Sequence, residues 1–342
     1  MHRPLRLTVD RTALQANWRW LQDRAGVPAG AAVKADGYGL GARESVRFLY
    51  EAGCRDFFVS NWVEAEALEP LPLGSSIVVL HGVGPKDAEA ALASTARPVL
   101  NTPEQVARWK DIAPGRLCDV MVDTGMNRLG LRQSEIAILD GLTIDTLHSH
   151  LACADEDVSL NQMQLERFRT VVSAVPAKRY SLANSAGICL GREYSFDLVR
   201  PGLSLCGGIP RSEADGHIRP VVRVDAEIVQ RRTIPAGESC GYGATFVAKE
   251  DTEAAILNIG YADGYLRGFS SRGSAFAGEF ALPVLGRVSM DLIAVGVDAA
   301  PQLKEGEWVE LDYDLASASK QSGLSQYELL TTLGDRFERL WV

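Results

Sequence analysis

The region between Ala31 and Arg200 alternates short apolar and β-branched runs with stretches of helical periodicity, and no other feature of the sequence constrains the fold as strongly. Such alternation predicts a parallel sheet whose strands are joined by right-handed helical crossovers. Eight consecutive βα units favour an α/β fold of the closed (β/α)8 TIM type, with an open doubly wound sheet as the alternative. The candidate strands are Ala31–Lys34, Phe57–Ser60, Ile77–His81, Pro98–Asn101, Asp119–Asp123, Thr143–His150, Arg179–Asn184 and Phe196–Arg200.

Three helices of this region carry recognisable start signals. Asn61, Thr102 and Ser159 are each followed, three residues later, by a glutamate or a glutamine. This spacing is typical of an N-cap residue whose side chain accepts a backbone N–H of the first helical turn. We therefore predict that these three residues cap helices.

The pattern changes after about Gly208, where strand-like runs are separated by Gly, Pro and Asp turns with little helical periodicity. This pattern is typical of an antiparallel β domain. The sequence therefore predicts a barrel over residues 8–218 and a C-terminal, mainly antiparallel β domain over residues 219–342, which residues 1–7 could also join. The predicted strands of this domain are Val221–Gln230, Ala254–Ile259, Pro283–Val288, Leu292–Val297 and Trp308–Tyr313, and a helical stretch over Ser325–Leu333 follows them.

Composition and charge argue against several classes of protein. The chain has 342 residues and a formal net charge of −9, so it offers no continuous basic surface for nucleic acid. No apolar run approaches the ~18 residues of a membrane-spanning helix, and the stretch from Met1 to Arg11 lacks the apolar region of a signal peptide. The six cysteines form no CxxC pair, which favours small buried residues in a reducing compartment. We therefore expect a cytoplasmic protein with neither a membrane nor a nucleic-acid partner.

Polar residues follow the predicted barrel strands, at the edge where the active sites of such barrels lie. Lys34 ends the first predicted strand and precedes a glycine-rich segment, Ala35–Gly39. A lysine held partly out of water loses basicity and becomes a nucleophile suited to carbonyl chemistry. Taken alone, Lys34 also fits an ordinary solvated strand end. The other polar strand ends are Asp123–Arg128, His148–His150, Asn184–Gly187 and Arg200–Leu203.

The last two strand ends predict a binding site for phosphate. Barrels of this type often hold a phosphate with backbone N–H groups in the loops after strands 7 and 8, where Ser185, Gly202 and Leu203 lie. Each of these residues alone also fits a turn or a helix cap. An imine-forming lysine and a phosphate site at one barrel mouth together point to pyridoxal 5′-phosphate (PLP) as a cofactor. The histidines and cysteines show no metal-ligand spacing, so no metal is expected.

At these residues the sequence resembles the alanine racemase family. The resemblance begins at Val33–Gly39, which is similar to the cofactor-lysine motif of the family, and it continues in order through both predicted domains. It implies a PLP-dependent isomerase, built from a barrel and a β domain, that interconverts L- and D-alanine. The other matching segments are Asp123–Gly130, His150–Glu156, Ala183–Ala186, Arg200–Gly207, Tyr242–Gly243, Gly260–Gly264 and Gly286–Asp291.

The resemblance also implies roles for individual residues. Lys34 would hold PLP and act as one of two bases, and Tyr242 would act as the second base on the opposite face of the cofactor–substrate adduct. In the family the position of Tyr242 enters the active site of the partner subunit, so a homodimer with shared sites is expected to act on a small amino acid. On the cofactor side, the implied residues are Tyr38, Ser185, Gly202 and Leu203 at the phosphate, Arg200 at the pyridine nitrogen, and His150. On the substrate side, they are Arg128 and the backbone of Met290 at the carboxylate, with Tyr261 and Asp335 close by.

Two positions depart from the family pattern. Met121 stands where the family usually has a lysine that bonds to the arginine matching Arg128, and Asp335 stands where it usually has a tyrosine near the substrate and the phosphate. A carboxylate is repelled by a nearby phosphate, and a lost ring leaves space. These departures favour the hypothesis of a broader substrate range, with serine as the first candidate beside alanine. An amino-acid decarboxylase and a non-catalytic PLP carrier are further hypotheses. The Gly-Tyr-Gly context of Tyr242 argues against the decarboxylase, and Tyr242 together with the β domain argues against the carrier.

Overall fold

The chain forms two large β-sheets, one parallel throughout and one mainly antiparallel. The structure, a computed structural model, describes residues 2–342. These residues divide into two units, which we call the barrel unit (Leu14–Arg219) and the β unit (residues 2–13 together with 220–342). None of the helices within residues 2–342 is both long enough and apolar enough to cross a membrane.

The elements are numbered in chain order. The strands are β1 (Leu5–Val9), β2 (Ala31–Ala32), β3 (Asp56–Val59), β4 (Ser76–Val79), β5 (Arg97–Leu100), β6 (Cys118–Met121), β7 (Ile144–His148), β8 (Arg179–Ser181), β9 (Val222–Ile234), β10 (Ser239–Cys240), β11 (Phe246–Val247), β12 (Thr252–Leu257), β13 (Ser274–Ala277), β14 (Phe280–Leu285), β15 (Ile293–Gly296), β16 (Trp308–Leu311) and β17 (Glu338–Trp341). The helices are α1 (Arg11–Ala25), α2 (Lys34–Tyr38, a single turn), α3 (Ala42–Ala52), α4 (Trp62–Leu68), α5 (Ala88–Ala93), α6 (Pro103–Ile112), α7 (Ser159–Ala174), α8 (Ser185–Leu190), α9 (Leu315–Ser322) and α10 (Gln326–Thr331).

The parallel sheet of the barrel unit runs from β2 to β8, and each strand pairs with its neighbours in sequence. The predicted eighth strand, Phe196–Arg200, is not a regular strand, yet it bridges the two edges of this sheet. On one side the Arg200 N–H donates to the Ala183 carbonyl at 2.9 Å, and on the other the Gly30 N–H donates to the Val199 carbonyl at 2.9 Å. The sheet is therefore closed, and the predicted (β/α)8 barrel is confirmed.

The barrel strands point side chains into the interior, away from water. Apolar residues therefore form one interior layer. Phe58 of β3, Val78 of β4, Val99 of β5 and Met121 of β6 form this layer with Leu198. The methionine that departs from the family pattern is therefore a packed core side chain.

Charged side chains at or near the starts of five strands form a second cluster in the barrel unit, which we call the ionic cluster. It consists of Asp56, Arg97, Asp119, Asp145 and Arg179. Arg179 bonds to both carboxylate oxygens of Asp56 at 2.9 Å and to Asp145 at 2.8 Å, and Arg97 contacts Asp119 at 3.1 Å. Burial raises the pKa values of Asp56 and Asp145, but the charges and hydrogen bonds of the paired arginines outweigh it, so both pKa values lie below the ordinary value for aspartate.

Two of the three predicted helix caps are confirmed. Thr102 and Asn61 accept the backbone N–H three residues later, at 3.2 Å and 3.0 Å. The prediction for Ser159 is wrong, since α7 begins at Ser159 and Val158 holds the N-cap position without a side-chain bond. The helix therefore begins one residue earlier than predicted, and the Asn161 side chain closes the preceding loop by donating to two of its carbonyls.

The large sheet of the β unit has the order β12-β15-β14-β13-β16-β9-β1-β17, and β12 also pairs with β9. The pairing is antiparallel except between β1 and β17, so the prediction of a mainly antiparallel β domain is confirmed. The N-terminal strand β1 pairs with β9 and β17, which are far away in sequence. A short hairpin, β10 with β11, follows β9.

Candidate active site

Lys34 is the first residue of the turn α2, directly beyond β2, rather than the last residue of a strand as predicted. The next four residues, Ala35, Asp36, Gly37 and Tyr38, have φ values of 51°, 50°, 64° and 60°, so the turn is left-handed. This conformation costs about 1 kcal/mol or more for each residue other than glycine. Backbone strain of this kind collects at functional sites, where surrounding contacts hold it in place.

The charge of Lys34 is set by its burial and by two neighbours. Burial lowers the pKa of the half-buried Lys34 amine, and the positive charge of Arg128 lowers it further. The carboxylate of Glu64 acts in the opposite direction and raises it. The net effect is a lysine that gives up its proton more readily than a lysine in water.

His150 lies close to the same cations. Burial, and then the charges of Arg200, Arg128 and Lys34, lower the pKa of His150 to about 3. The imidazole is therefore neutral at physiological pH, so it can accept a hydrogen bond through one ring nitrogen and donate one through the other.

Arg200 is a buried cation held by neutral groups. It donates to the Ser149 carbonyl at 2.6 Å and also to the Ser181 hydroxyl. Burial lowers the pKa of Arg200 to about 10, so the guanidinium keeps its proton at neutral pH. A buried positive charge with no carboxylate in direct contact, among residues 2–342, suits a polar or anionic ligand.

His148 connects this cluster to the ionic cluster. Its Nε2 lies 3.0 Å from Asp119 Oδ2, and both side chains are fully buried. Burial lowers the pKa of His148 to about 4, so its Nε2–H donates to the aspartate from a neutral ring. His148 was predicted from the sequence to lie at a strand end, but no role was predicted for it.

The Ser185 hydroxyl joins the loop after β8 to the loop after residue 200. The Ser185 Oγ accepts the N–H groups of Gly202 at 3.0 Å and Ser204 at 3.2 Å, with Leu203 buried between them. A Cβ on Gly202 would lie 2.2 Å from the Tyr38 hydroxyl, so only glycine fits there. Ser204 was not predicted, although it lies two residues after Gly202 in the same motif.

In the β unit, Tyr242 lies on the turn between β10 and β11 and is 69% exposed. The next residue, Gly243, has a φ of 74°, and a Cβ there would lie 3.4 Å from the Arg287 guanidinium. The glycine therefore permits both the left-handed turn and the close approach of the arginine.

The other β-unit residues predicted to face the substrate lie on three adjoining loops. The Met290 carbonyl accepts the N–H of the residue after Tyr261 at 3.0 Å, and the Gly334 N–H, next to Asp335, donates to the Asp263 carbonyl at 3.2 Å. These bonds bring the segments of Tyr261, Met290 and Asp335 together. The side chains of Met290 and Asp335 are exposed.

Arg336 was not predicted and ties these loops together. Its Nε donates to Asp263 Oδ1 at 2.6 Å, and a terminal nitrogen donates to Asp291 Oδ1 at 2.8 Å. Two features of the sequence pointed toward Arg336. It directly follows Asp335, and its partners Asp263 and Asp291 both lie in segments that match the family motifs.

A half-buried lysine of lowered pKa, close to Arg128 and His150 at the mouth of a barrel, is typical of barrel enzymes that use a lysine as a nucleophile. Comparison with known protein families identifies one family within this class. The alanine racemase N-terminal domain matches residues 9–210, and the alanine racemase C-terminal domain matches residues 221–341. The chain belongs to the alanine racemase family, as its resemblance predicted, and the enzyme class is that of the amino-acid racemases.

Individual relatives agree over nearly the full length. The chain is 41% identical to a catabolic alanine racemase of Agrobacterium fabrum, over 98% of this chain and 92% of the relative. It is 40% identical to an alanine racemase of Methylobacterium nodulans, over 98% and 96%. Among solved structures, the Bartonella henselae alanine racemase with covalently bound pyridoxal phosphate superposes with a TM-score of 0.93 at 35% identity, covering 99% of both chains.

Proposed function

We propose that this chain interconverts L- and D-alanine, with PLP held by Lys34. The observation that carries the proposal is the half-buried lysine of lowered pKa among Arg128, His150 and Arg200. A lysine in that state is a ready nucleophile for an aldehyde. Family membership supports the same assignment, since the Bartonella henselae relative carries covalently bound pyridoxal phosphate.

The residues present fit this cofactor. The N–H groups of Gly202 and Ser204 orient the Ser185 hydroxyl, and the buried Ser204 hydroxyl has no hydrogen-bond partner within residues 2–342, so both hydroxyls could donate to a phosphate. Tyr38 and Leu203 would complete the phosphate site, and Arg200 would face the pyridine nitrogen. When bound, PLP spreads the negative charge that remains on the substrate Cα after proton removal.

Two proton-transfer groups are assigned to the reaction. Racemisation removes a proton from one face of Cα and returns a proton to the other face, so the two groups must stand on opposite faces. We assign Lys34 to one face and Tyr242 to the other. Because Tyr242 is 69% exposed on a turn of the single chain, we propose that it serves Lys34 of a second copy in a homodimer with shared sites.

The substrate carboxylate is assigned to Arg128 and to the backbone N–H of Met290. The Arg128 charge already acts on Lys34 and His150, so it lies at the same barrel mouth. A guanidinium forms strong paired hydrogen bonds with a carboxylate. Tyr261 would line the space next to Met290, since their segments are hydrogen bonded.

Racemisation of serine, or of several amino acids, is a second candidate because of Asp335. Its side chain is exposed on a loop bonded to those of Tyr261 and Met290. A carboxylate there can accept a hydrogen bond from a serine hydroxyl, which the methyl group of alanine cannot donate. Met121, packed in the barrel core, leaves Arg128 without the lysine that usually orients it. The cytoplasmic location stays a prediction.

Borohydride reduction of the PLP-loaded protein tests the cofactor assignment. We expect mass spectrometry to find the reduced cofactor on Lys34. In deuterated water, we expect deuterium at Cα of both alanine enantiomers, and chiral chromatography with alanine, serine, lysine and arginine gives the substrate range. A cofactor fixed elsewhere, or no deuterium at Cα, would contradict the proposal. Strict preference for alanine would remove the serine candidate.

A further inference from the structure

The strained turn after Lys34 needs an external restraint. Residues 35–38 all have left-handed φ values, and three of them are not glycine. Bonds within the segment account for part of its shape, such as the Gly37 N–H that donates to the Val33 carbonyl at 2.8 Å. The N–H of Ala35, directly after the lysine, points out of the turn and finds its partner in another element.

That partner is Glu64 of α4. Its Oε1 accepts the Ala35 N–H at 2.9 Å, and its Oε2 accepts the Ser60 N–H at 2.7 Å. The two donors lie just beyond β2 and β3, which are adjacent strands of the barrel. One carboxylate therefore ties the turn that carries Lys34 to the end of the neighbouring strand.

Glu64 is itself held in place by the start of its helix. Asn61 caps α4 by accepting the Glu64 N–H at 3.0 Å. In an ordinary capping box, a glutamate at this position would bond back to the N–H of the cap residue. Here it bonds to the residue before the cap and to the lysine turn instead, so the glutamate serves a contact outside its own helix.

The carboxylate also brings a negative charge close to Lys34. Burial and Arg128 both favour the neutral amine, and Glu64 is the anion that opposes them. The same group thus acts on the position of the lysine through the backbone and on its charge through space.

We propose that Glu64 is a positioning residue of the active site, whose carboxylate holds the left-handed turn that aims Lys34 and places a negative charge near this lysine. The proposal rests on the proposed function, because that function gives Lys34 its catalytic role. The contacts and the charge of Glu64 can be tested without measuring catalysis.

The test measures Lys34 directly in the full-length chain, after PLP has been removed with hydroxylamine and dialysis. Competitive labelling with isotopic acetic anhydride across a pH series, read by mass spectrometry, gives the pH midpoint of the Lys34 amine. Glu64→Gln removes the negative charge and keeps one acceptor oxygen, so the midpoint should move to lower pH. Glu66→Gln, two residues along the same helix and exposed, is the matched control and should leave the midpoint at the wild-type value.

Reloading with PLP then tests the restraint on the turn. Glu64→Ala removes both hydrogen bonds, and kcat should fall roughly tenfold or more because the lysine is misaimed. The fall should be smaller in Glu64→Gln. Equal midpoints in Glu64→Gln and Glu66→Gln, or wild-type kcat in Glu64→Ala, would overturn the proposal. Failure of borohydride to fix PLP on Lys34 of the wild-type protein would instead overturn the proposed function and leave the labelling result standing.

Discussion

Lys34, His150 and Arg200 would all be cations in acidic water, yet they differ in charge at the barrel mouth. Burial lowers the pKa of each, to about 3 for His150 and to about 10 for Arg200, so at neutral pH the first is uncharged and the second is charged. The pKa of Lys34 is also lowered, with Glu64 limiting the change. One site thus contains a fixed cation, a neutral imidazole and an amine that can exchange a proton.

At the same scale, replacing Tyr242 tests its proposed role as the second base. Tyr242→Phe keeps the ring and removes the hydroxyl, so we expect the absorbance of bound PLP to persist while turnover falls about a hundredfold or more. Tyr50→Phe is the control, since that hydroxyl bonds to the Leu73 carbonyl at the surface of the barrel unit. Turnover within a few-fold of wild type in Tyr242→Phe would remove this tyrosine from the proposed pair of bases, and absence of any turnover in the wild type would favour a PLP carrier.

His148 predicts a loss of stability in acid. Its pKa is about 4 in the folded chain, against an ordinary value of 6.5. Between those values the unfolded chain binds a proton that the folded chain does not, so the free energy of unfolding decreases as the pH falls from about 6.5 to about 4. The decrease due to this residue is about 3 kcal/mol.

Urea unfolding of the PLP-free chain at pH 7 and pH 4.5 measures this effect. His148→Gln keeps an N–H donor for Asp119 but cannot titrate, so the decrease between the two pH values should be smaller than in wild type. The exposed His81 provides the control variant His81→Gln, which should show the wild-type decrease. The same decrease in His148→Gln as in wild type would contradict the prediction.

At the scale of elements, the ionic cluster joins the starts of barrel strands that are distant in sequence. Arg179 of β8 contacts Asp56 of β3 and Asp145 of β7. Arg179→Met would leave two mostly buried carboxylates short of a partner, and we expect the free energy of unfolding to fall by about 2–3 kcal/mol. Urea unfolding at pH 7 measures it.

The control for this prediction is an arginine–carboxylate pair in which both side chains are exposed. Arg47 contacts Glu44 at 2.5 Å on α3, and their side chains are 56% and 39% exposed. Arg47→Met should change the free energy of unfolding by less than about 1 kcal/mol, because water screens the pair. Equal effects of the two substitutions would mean that the ionic cluster adds no more stability than a surface pair.

Strands and helix caps were predicted correctly where the local sequence pattern was regular. The barrel strands and the caps Thr102 and Asn61 follow from β-branched runs and from side chains that bond within one helical turn. β1 and β17 were not predicted, because short strands are stabilised mainly by partners elsewhere in the chain, and these two pair with each other across almost the whole sequence. The left-handed turn after Lys34 was also not predicted, since contacts from α4 help to hold it.

At the scale of the whole molecule, a shared-site homodimer predicts complementation between two inactive variants. In a mixed dimer of Lys34→Ala with Tyr242→Phe, one site has lost both groups and the other has kept both. Unfolding and refolding an equal mixture should therefore restore about a quarter of wild-type activity, because half of the dimers are mixed and each has one intact site. Each variant refolded alone is the control, and no recovery in the mixture would contradict shared sites.

The sequence by itself determined the class of fold, the order of the two domains and the presence of polar residues after the barrel strands. These predictions depend on short-range patterns, such as the alternation of strand-like and helix-like runs and the polar residues that follow each strand. Such patterns lie in the order of the residues, so they can be identified without the tertiary structure. Only the tertiary structure decided that Glu64 bonds beside Lys34, that Arg336 joins three loops, that Met121 packs in the barrel core, and that His148 joins the ionic cluster. Those contacts connect residues far apart in the chain, and the burial that lowers the pKa of His148 exists only after the elements have packed together.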